Sequence, residues 1–125
     1  MIAPRTPEER HEADARGREG EAEAAMFLAQ RGWRIEAERV KTRAGEIDLV
    51  ARKAGLVAFV EVKWRARAAS LADAIDERRL RRVAAAVECV WQDYATGGED
   101  IRIDVILLAP DRKPTHIENA WMPFG

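Results

Sequence analysis

Thiols and imidazoles are scarce in this chain: its 125 residues include one cysteine, Cys89, and two histidines, His11 and His116. A lone thiol cannot form an internal disulfide, and it cannot build a Cys-based zinc site. Two imidazoles are too few for most zinc enzymes. Long apolar runs are also missing. None approaches the roughly 20 residues that cross a bilayer, so no membrane partner is expected, and the polar stretch from Met1 to Arg10 lacks the apolar core of a secretory leader. Nor does one sign of charge dominate. The 21 Lys and Arg residues face 22 Asp and Glu, a net charge of −1, unlike the strongly basic balance of a protein that merely coats nucleic acid. These absences lead us to expect a cytoplasmic location.

What remains is an ordinary globular composition, 47% hydrophobic and 34% charged, long enough for one core. We read residues 1–125 as a single domain with residues 1–5 as a flexible arm. The near-neutral total hides an asymmetry. Residues 31–67 hold ten basic and five acidic side chains, residues 1–30 four and seven, and Arg78, Arg79, Arg81 and Arg82 form a second basic knot. Local positive charge beside buried carboxylates suits an enzyme that docks a phosphate backbone and holds a cation. A mixed solvated surface accounts for the arginines as simply.

Thr6-Pro7-Glu8-Glu9 has the form of a helix start, with Pro7 at the first helical position. The helix is expected to reach Arg31 and stop at Gly32. Ala24, Ala25 and Leu28 make its inner stripe, and Glu21 lies on the same stripe one turn earlier. Gly17 and Gly20 inside it either split the helix or admit a close neighbour. Trp33 to Val40 reads as a strand, Lys41 to Gly45 as a basic loop, and Glu46 to Arg52 as a second strand. Its alternation puts Ile47, Leu49 and Ala51 on one face and Glu46, Asp48 and Val50 on the other. After the turn at Lys53-Ala54-Gly55, Leu56 to Trp64 is apolar enough to be a central strand buried on both faces. Ser70 and Asp73 repeat the helix-start signature. Leu80, Val83, Val87, Val90 and Tyr94 then make a core stripe that ends at Gly97-Gly98. Ile101 to Ala109 reads as a fourth strand and His116 to Trp121 as a short edge strand. The expected fold is α/β: a mixed central sheet of four to five strands flanked by helices, in the order α-β-β-β-α-β.

A two-residue turn at Ala54-Gly55 pairs the second and third strands so that Asp48 falls opposite Glu61, with Cβ atoms about 5 Å apart. Lys63, two residues on, leaves from the same face. Two like charges across a ladder are destabilising. A divalent cation between them supplies a reason for the pair, and Mg²⁺ is usually held by one or two carboxylates plus water and substrate phosphate. Such an ion polarises a phosphoryl oxygen and acidifies water, and Lys63 can offset charge in the transition state. The same three residues also fit an ordinary salt-bridge network on a solvated face. Glu46 flanks the pair as a supporting group or a simply exposed one.

Gly45-Glu46-Ile47-Asp48-Leu49-Val50, followed by Phe59-Val60-Glu61-Val62-Lys63, resembles the YraN-type family of small bacterial proteins. That family is assigned to the PD-(D/E)xK, restriction-endonuclease-like superfamily and is similar to archaeal Holliday-junction resolvases. Gly17-x-x-Gly20-Glu21-x-x-Ala24 and Arg102-Ile103-Asp104-Val105 extend the resemblance over most of the chain. It implies a restriction-endonuclease-like fold and a Mg²⁺ (or Mn²⁺) cofactor. Asp48 and Glu61 would be metal ligands, with the Val62 carbonyl as a third; Glu21 would be the first-helix carboxylate that completes the metal site, and Lys63 the catalytic lysine. Junction resolvases work as twofold dimers, so it also implies a homodimer. Trp64 stands where Thr is usual after the lysine, Arg79 where the second helix often has Lys, and Arg39 where Asn is frequent; these departures bear on substrate contacts.

The function expected is Mg²⁺-dependent hydrolysis of phosphodiesters in DNA, with branched or damaged DNA as the candidate substrates. The alternative is a catalytically silent module that binds nucleic acid or a protein partner on the same fold. Lys41, Arg43, Arg65, Arg67 and Arg79 are the candidate phosphate contacts, joined by Arg82 if the second helix borders the cleft. Trp64 either stacks on a base or caps the sheet. Cys89 is expected to be a small buried hydrophobe, and Asp104 a structural acid paired with an arginine, unless it supports the site. His11 and His116 carry no catalytic signal.

Overall fold

A computed structural model describes residues 7–65, 76–110 and 112–121, with side chains of the first helix described from Gly17 onward. Helix α1 spans Pro7–Gln30, and strands β1, β2 and β3 span Arg34–Thr42, Gly45–Lys53 and Leu56–Trp64. Helix α2 spans Glu77–Tyr94, followed by β4 (Asp100–Ala109) and β5 (Arg112–Ile117). The strands form one mixed sheet in the order β1-β2-β3-β4-β5. Its first three strands are antiparallel neighbours, β3 and β4 run parallel, and β5 returns antiparallel to β4. The parallel step needs a long crossover, which α2 provides.

Each helix covers one face of the sheet. Helix α2 lays Leu80, Val83, Ala86 and Val87 on Ile47, Val50, Val57, Phe59 and Val105. Helix α1 lays Ala24 and Leu28 on Leu49, Ala51, Ala58, Val60, Ile106 and Leu108. Strand β3 is therefore central and covered on both sides, and its residues 57–61 are all buried. Helix α1 is continuous through both internal glycines. At Gly20 a Cβ would lie 3.4 Å from Leu108 Cδ1, so that residue admits the sheet closely instead of splitting the helix. Among the described residues no helix is long and apolar enough to cross a membrane.

The β2–β3 register is the expected one, from Lys53↔Leu56 to Leu49↔Val60. Ala54 and Gly55 both have positive φ, 48° and 76°, as a tight two-residue hairpin requires. Four expectations need correction. The β1–β2 turn is only Arg43-Ala44, and Lys41 belongs to β1. Ile47 packs with Val50 on the α2 side, whereas Leu49 and Ala51 face α1, so the regular alternation of β2 fails at Asp48. The failure coincides with Arg39, which has φ of 53° and lies between the rungs Glu38↔Leu49 and Val40↔Ile47. The edge strand is Arg112–Ile117 instead of His116 to Trp121. Finally, Cys89 is only half-buried. The helix start read at Ser70 and Asp73 lies outside the described residues; α2 is capped by Asp76, whose carboxylate accepts from the Arg79 amide.

Candidate active site

Beyond Leu49↔Val60 the β2–β3 ladder stops, and the Asp48 side chain takes over: its Oδ2 accepts from the Val62 amide at 2.8 Å. Asp48 and Glu61 are therefore close without forming a regular cross-strand pair. The opened end of the hairpin lies under α1 on one side and α2 on the other. Asp48 borders hollows on both sides. One is walled by Gly45, Glu46, Glu61, Arg79, Arg82 and Val83, the other by Gly17, Gly20, Glu21, Val62, Trp64 and Arg79. A third hollow alongside holds Lys63 with Glu61, Val62, Trp64, Arg65, Asp76 and Arg79.

Carboxylate oxygens of Glu21, Glu46 and Asp48, the second an exposed residue, come within 4.8 Å of one another. Small inward shifts would let these three hard oxygen donors reach one small divalent cation. Glu61 stands outside that trio. It is almost fully buried, and its Oε1 accepts from Arg79 Nε at 2.6 Å. Glu21 is held in the same manner by Arg39 Nε, also at 2.6 Å. Asp48 is 9% exposed. Burial, and then the Glu61 and Glu21 carboxylates, push its carboxyl up to about 8, against the opposing pull of the Val62 amide and Arg79. Burial also pulls the Lys63 ammonium below the usual lysine value, with Asp76 and Glu61 opposing that shift. Lys63 is 7% exposed, and its hollow places it on the α2 side with Glu61, as the spacing of two residues along β3 requires.

Among the residues expected to contact a phosphate backbone, Lys41 and Arg43 are exposed, Arg65 borders the Lys63 hollow, and Arg79 lies inside the cleft against Glu61. Trp64 is half-buried and packs against the α1-side core while bordering two of the hollows. Arg67 lies outside the described residues, as does the His11 side chain. Sequence reasoning missed the Arg39–Glu21 pair, the approach of Asp76 to Lys63, and Glu46 as a member of the acidic trio. The one available signal was for Asp76: an Asp three residues before Arg79 at the head of an apolar helical stripe is a capping position.

A second polar cluster involves a different set of residues. Asp104 is 0% exposed. It accepts from Arg102 Nε and Nη2 at 2.7 and 2.8 Å and from the Asn119 amide at 2.9 Å, and lies 2.8 Å from His116 Nε2. Burial would raise its carboxyl, but the bonds from His116, Arg102 and Asn119 outweigh this and hold it below the usual carboxylate range. The His116 ring meets Phe27 and Trp33 edge-on. These contacts join β4, β5 and the end of α1, which is a structural role.

Comparison with known proteins places the chain. Residues 20–108 match the model of the family described as "Uncharacterised protein family UPF0102". A UPF0102 protein of Erythrobacter litoralis is 62% identical over 111 residues, covering 89% of this chain and 96% of that protein. One of Rhizorhabdus wittichii is 56% identical, covering 87% and 92%. One of Sphingopyxis alaskensis is 55% identical, covering 89% and 96%. The matched segment runs from the buried Gly20 of α1 to the end of β4 and so includes all the acids of the cleft and Lys63: the chain belongs to the UPF0102 family.

Proposed function

We propose that this protein is a divalent-cation-dependent nuclease that hydrolyses phosphodiester bonds in DNA at the opened end of the β2–β3 hairpin. The observation that carries this reading is the juxtaposition at Asp48. A buried carboxylate is built into the backbone through Val62 and drawn up to Glu21 and Glu46, with Glu61 and the Lys63 ammonium on the adjoining strand. Keeping several carboxylates close together is costly unless a cation offsets their repulsion.

Glu21, Glu46 and Asp48 would hold Mg²⁺ or Mn²⁺, with Glu61 beside them. When bound, such an ion polarises a phosphoryl oxygen and acidifies water. Lys63 contributes separately. Its ammonium sits in a hollow next to Glu61, at a site where partial burial strengthens its attraction for the charge that builds on a phosphoryl group under attack. Its depressed affinity for a proton also suits it to orient or exchange a proton with a nearby water. Exposed Lys41 and Arg43, with Arg65 at the cleft, would receive the flanking phosphates. Branched DNA and a twofold dimer that places two clefts on one junction belong to this proposal by the resemblance described above.

The test is cleavage of plasmid, single-stranded and four-way-junction DNA with Mg²⁺ or Mn²⁺. Wild type cuts at least one substrate, and Lys63→Ala cuts it about 100-fold more slowly or worse while keeping its Mn²⁺ affinity, because Lys63 offers no ligand oxygen. If none of the substrates is cut, or Lys63→Ala cuts as well as wild type, the nuclease reading fails. DNA binding without cutting would then leave the silent binding module.

A further inference from the structure

Arg79 occupies an unusual place. It is the residue shared by all three hollows of the cleft. Its side chain is 55% exposed, yet its Nε bonds at 2.6 Å to a carboxylate on a side chain only 2% exposed. An arginine therefore reaches in from solvent to neutralise a buried acid. A buried carboxylate without a partner costs several kcal/mol, so in the absence of metal Arg79 supplies the positive charge that the cleft needs. Its field also acts on Asp48.

A divalent cation on the neighbouring carboxylates would supply that charge instead, and a guanidinium and a dication on adjoining oxygens repel each other. Arg79 is the partner free to move. More than half of its side chain is in solvent, whereas Glu61 is buried within β3. Once released, it stands at the mouth of the cleft with a planar, two-pronged donor set that matches a phosphate.

Resting on the nuclease reading, we infer that Arg79 is an exchangeable counterion: it holds Glu61 while the cleft is empty, gives way to the divalent cation, and then grips the phosphate backbone of the substrate, so that cation loading and DNA binding strengthen each other. The coupling is reciprocal by linkage, so DNA must tighten the cation by the same factor that the cation tightens DNA. The arginine thus acts as a specificity device, admitting DNA strongly only to a cleft that is already charged for reaction.

The experiment measures Mn²⁺ affinity by calorimetry, and DNA affinity by fluorescence anisotropy of a labelled four-way junction with and without saturating Ca²⁺. It compares wild type, Arg79→Met and Arg79→Gln. Arg79→Gln retains a hydrogen-bond donor for Glu61 and serves if the Met variant fails to fold; Arg78→Met on the same helix is the charge control. In wild type, the cation is expected to raise DNA affinity about fivefold or more. In both Arg79 variants Mn²⁺ binds several-fold tighter than in wild type, and the cation's effect on DNA falls towards unity. Arg78→Met weakens DNA slightly and leaves both other quantities unchanged. If wild type binds Mn²⁺ but the Arg79 variants bind it no tighter, or if they keep the full cation effect on DNA, the exchange is wrong and the nuclease reading stands. A wild type that binds no Mn²⁺ overturns the metal site itself, and the exchange with it.

Discussion

At pH 8 and without added metal, Asp48→Asn is expected to melt higher than the wild type, by on the order of 10 °C, although under the nuclease proposal it would lose cutting. The sign follows from linkage. Asp48 is driven by burial and by Glu61 from an ordinary carboxylate to about 8, so the folded state holds a proton that the unfolded chain releases near pH 4. Stability from this group is therefore present below about pH 4 and is lost as pH rises from there towards 8. An amide does not ionise, keeps an oxygen to accept from the Val62 amide, and escapes that loss. A gain of roughly 3 kcal/mol is the scale expected after relaxation of the cleft, and a domain of this size gains several degrees per kcal/mol. The gap between variant and wild type should narrow steadily as pH is lowered from 8 to 5. Saturating Mn²⁺ should narrow it as well, since a cation held through the Asp48 charge would stabilise only the wild type. Thermal melts at three pH values, each with and without Mn²⁺, check all of this. An Asp48→Asn protein that melts lower than wild type at pH 8 would mean that the carboxylate is satisfied as it stands.

Asp104→Ala has a similarly large effect of opposite sign, and it has nothing to do with the chemistry. The carboxylate meets three side-chain or backbone donors with four close contacts, and is fully buried. Its removal strands His116 and leaves Arg102 with only a longer ion pair to the exposed Glu118, at 3.7 Å, although both are themselves mostly buried. Breaking such a network costs about 3–5 kcal/mol, a large share of the 5–15 kcal/mol typical of a whole domain. The melting temperature should fall by roughly 10–20 °C. Because Asp104 is held below the usual carboxylate range, its contribution is full above about pH 4 and fades as pH drops through its lowered value. The difference between Asp104→Ala and wild type must therefore shrink only under strongly acid conditions, where that for Asp48→Asn has already vanished. Below its melting temperature the Asp104→Ala protein should bind Mn²⁺ as wild type does, since none of the cleft acids is a partner of Asp104.

Much of the architecture is legible in the residues because local signals and burial agree. The apolar run of β3 predicts a strand covered on both faces, and it is covered by α1 and α2. The length of the Ala54-Gly55 turn determines the register, since a one-residue slip would turn the whole apolar set to the wrong face. The stripe from Leu80 to Tyr94 predicts the buried side of α2. Legibility fails where a single tertiary contact overrides a period. Ile47 leaves the face of Leu49 because β2 breaks at Asp48, whose side chain replaces a ladder bond and whose neighbour on β1, Arg39, turns left-handed. Strand β5, with the sequence Arg112-Lys113-Pro114-Thr115-His116-Ile117, carries almost no apolar alternation, and a Pro within it is tolerable only at a sheet edge.

The site divides along the same line. Glu21 stands out in the sequence as a carboxylate on an apolar stripe, and it does approach Asp48. Asp48, Glu61 and Lys63 stand out through strand pairing. The arginines do not, because a long exposed stem can turn its head either to solvent or inward. Spacing puts Arg79 one turn before Val83, at the border of the buried stripe, and Arg78 on the opposite face, but it does not show that Arg79 turns onto Glu61. Glu46 was ambiguous for a similar reason: alternation puts it on the face of Asp48, but an exposed carboxylate can turn either to solvent or towards its neighbour.

The central claim is that the acids at the opened hairpin hold a single divalent cation. Anomalous diffraction from crystals of the wild-type protein soaked in Mn²⁺ tests it most directly. One strong peak is expected within about 2.5 Å of an Asp48 carboxylate oxygen, bounded also by Glu21 or Glu46, with no such peak in Asp48→Asn crystals. A map in which manganese avoids this cleft, or binds there equally well without the Asp48 charge, would contradict it.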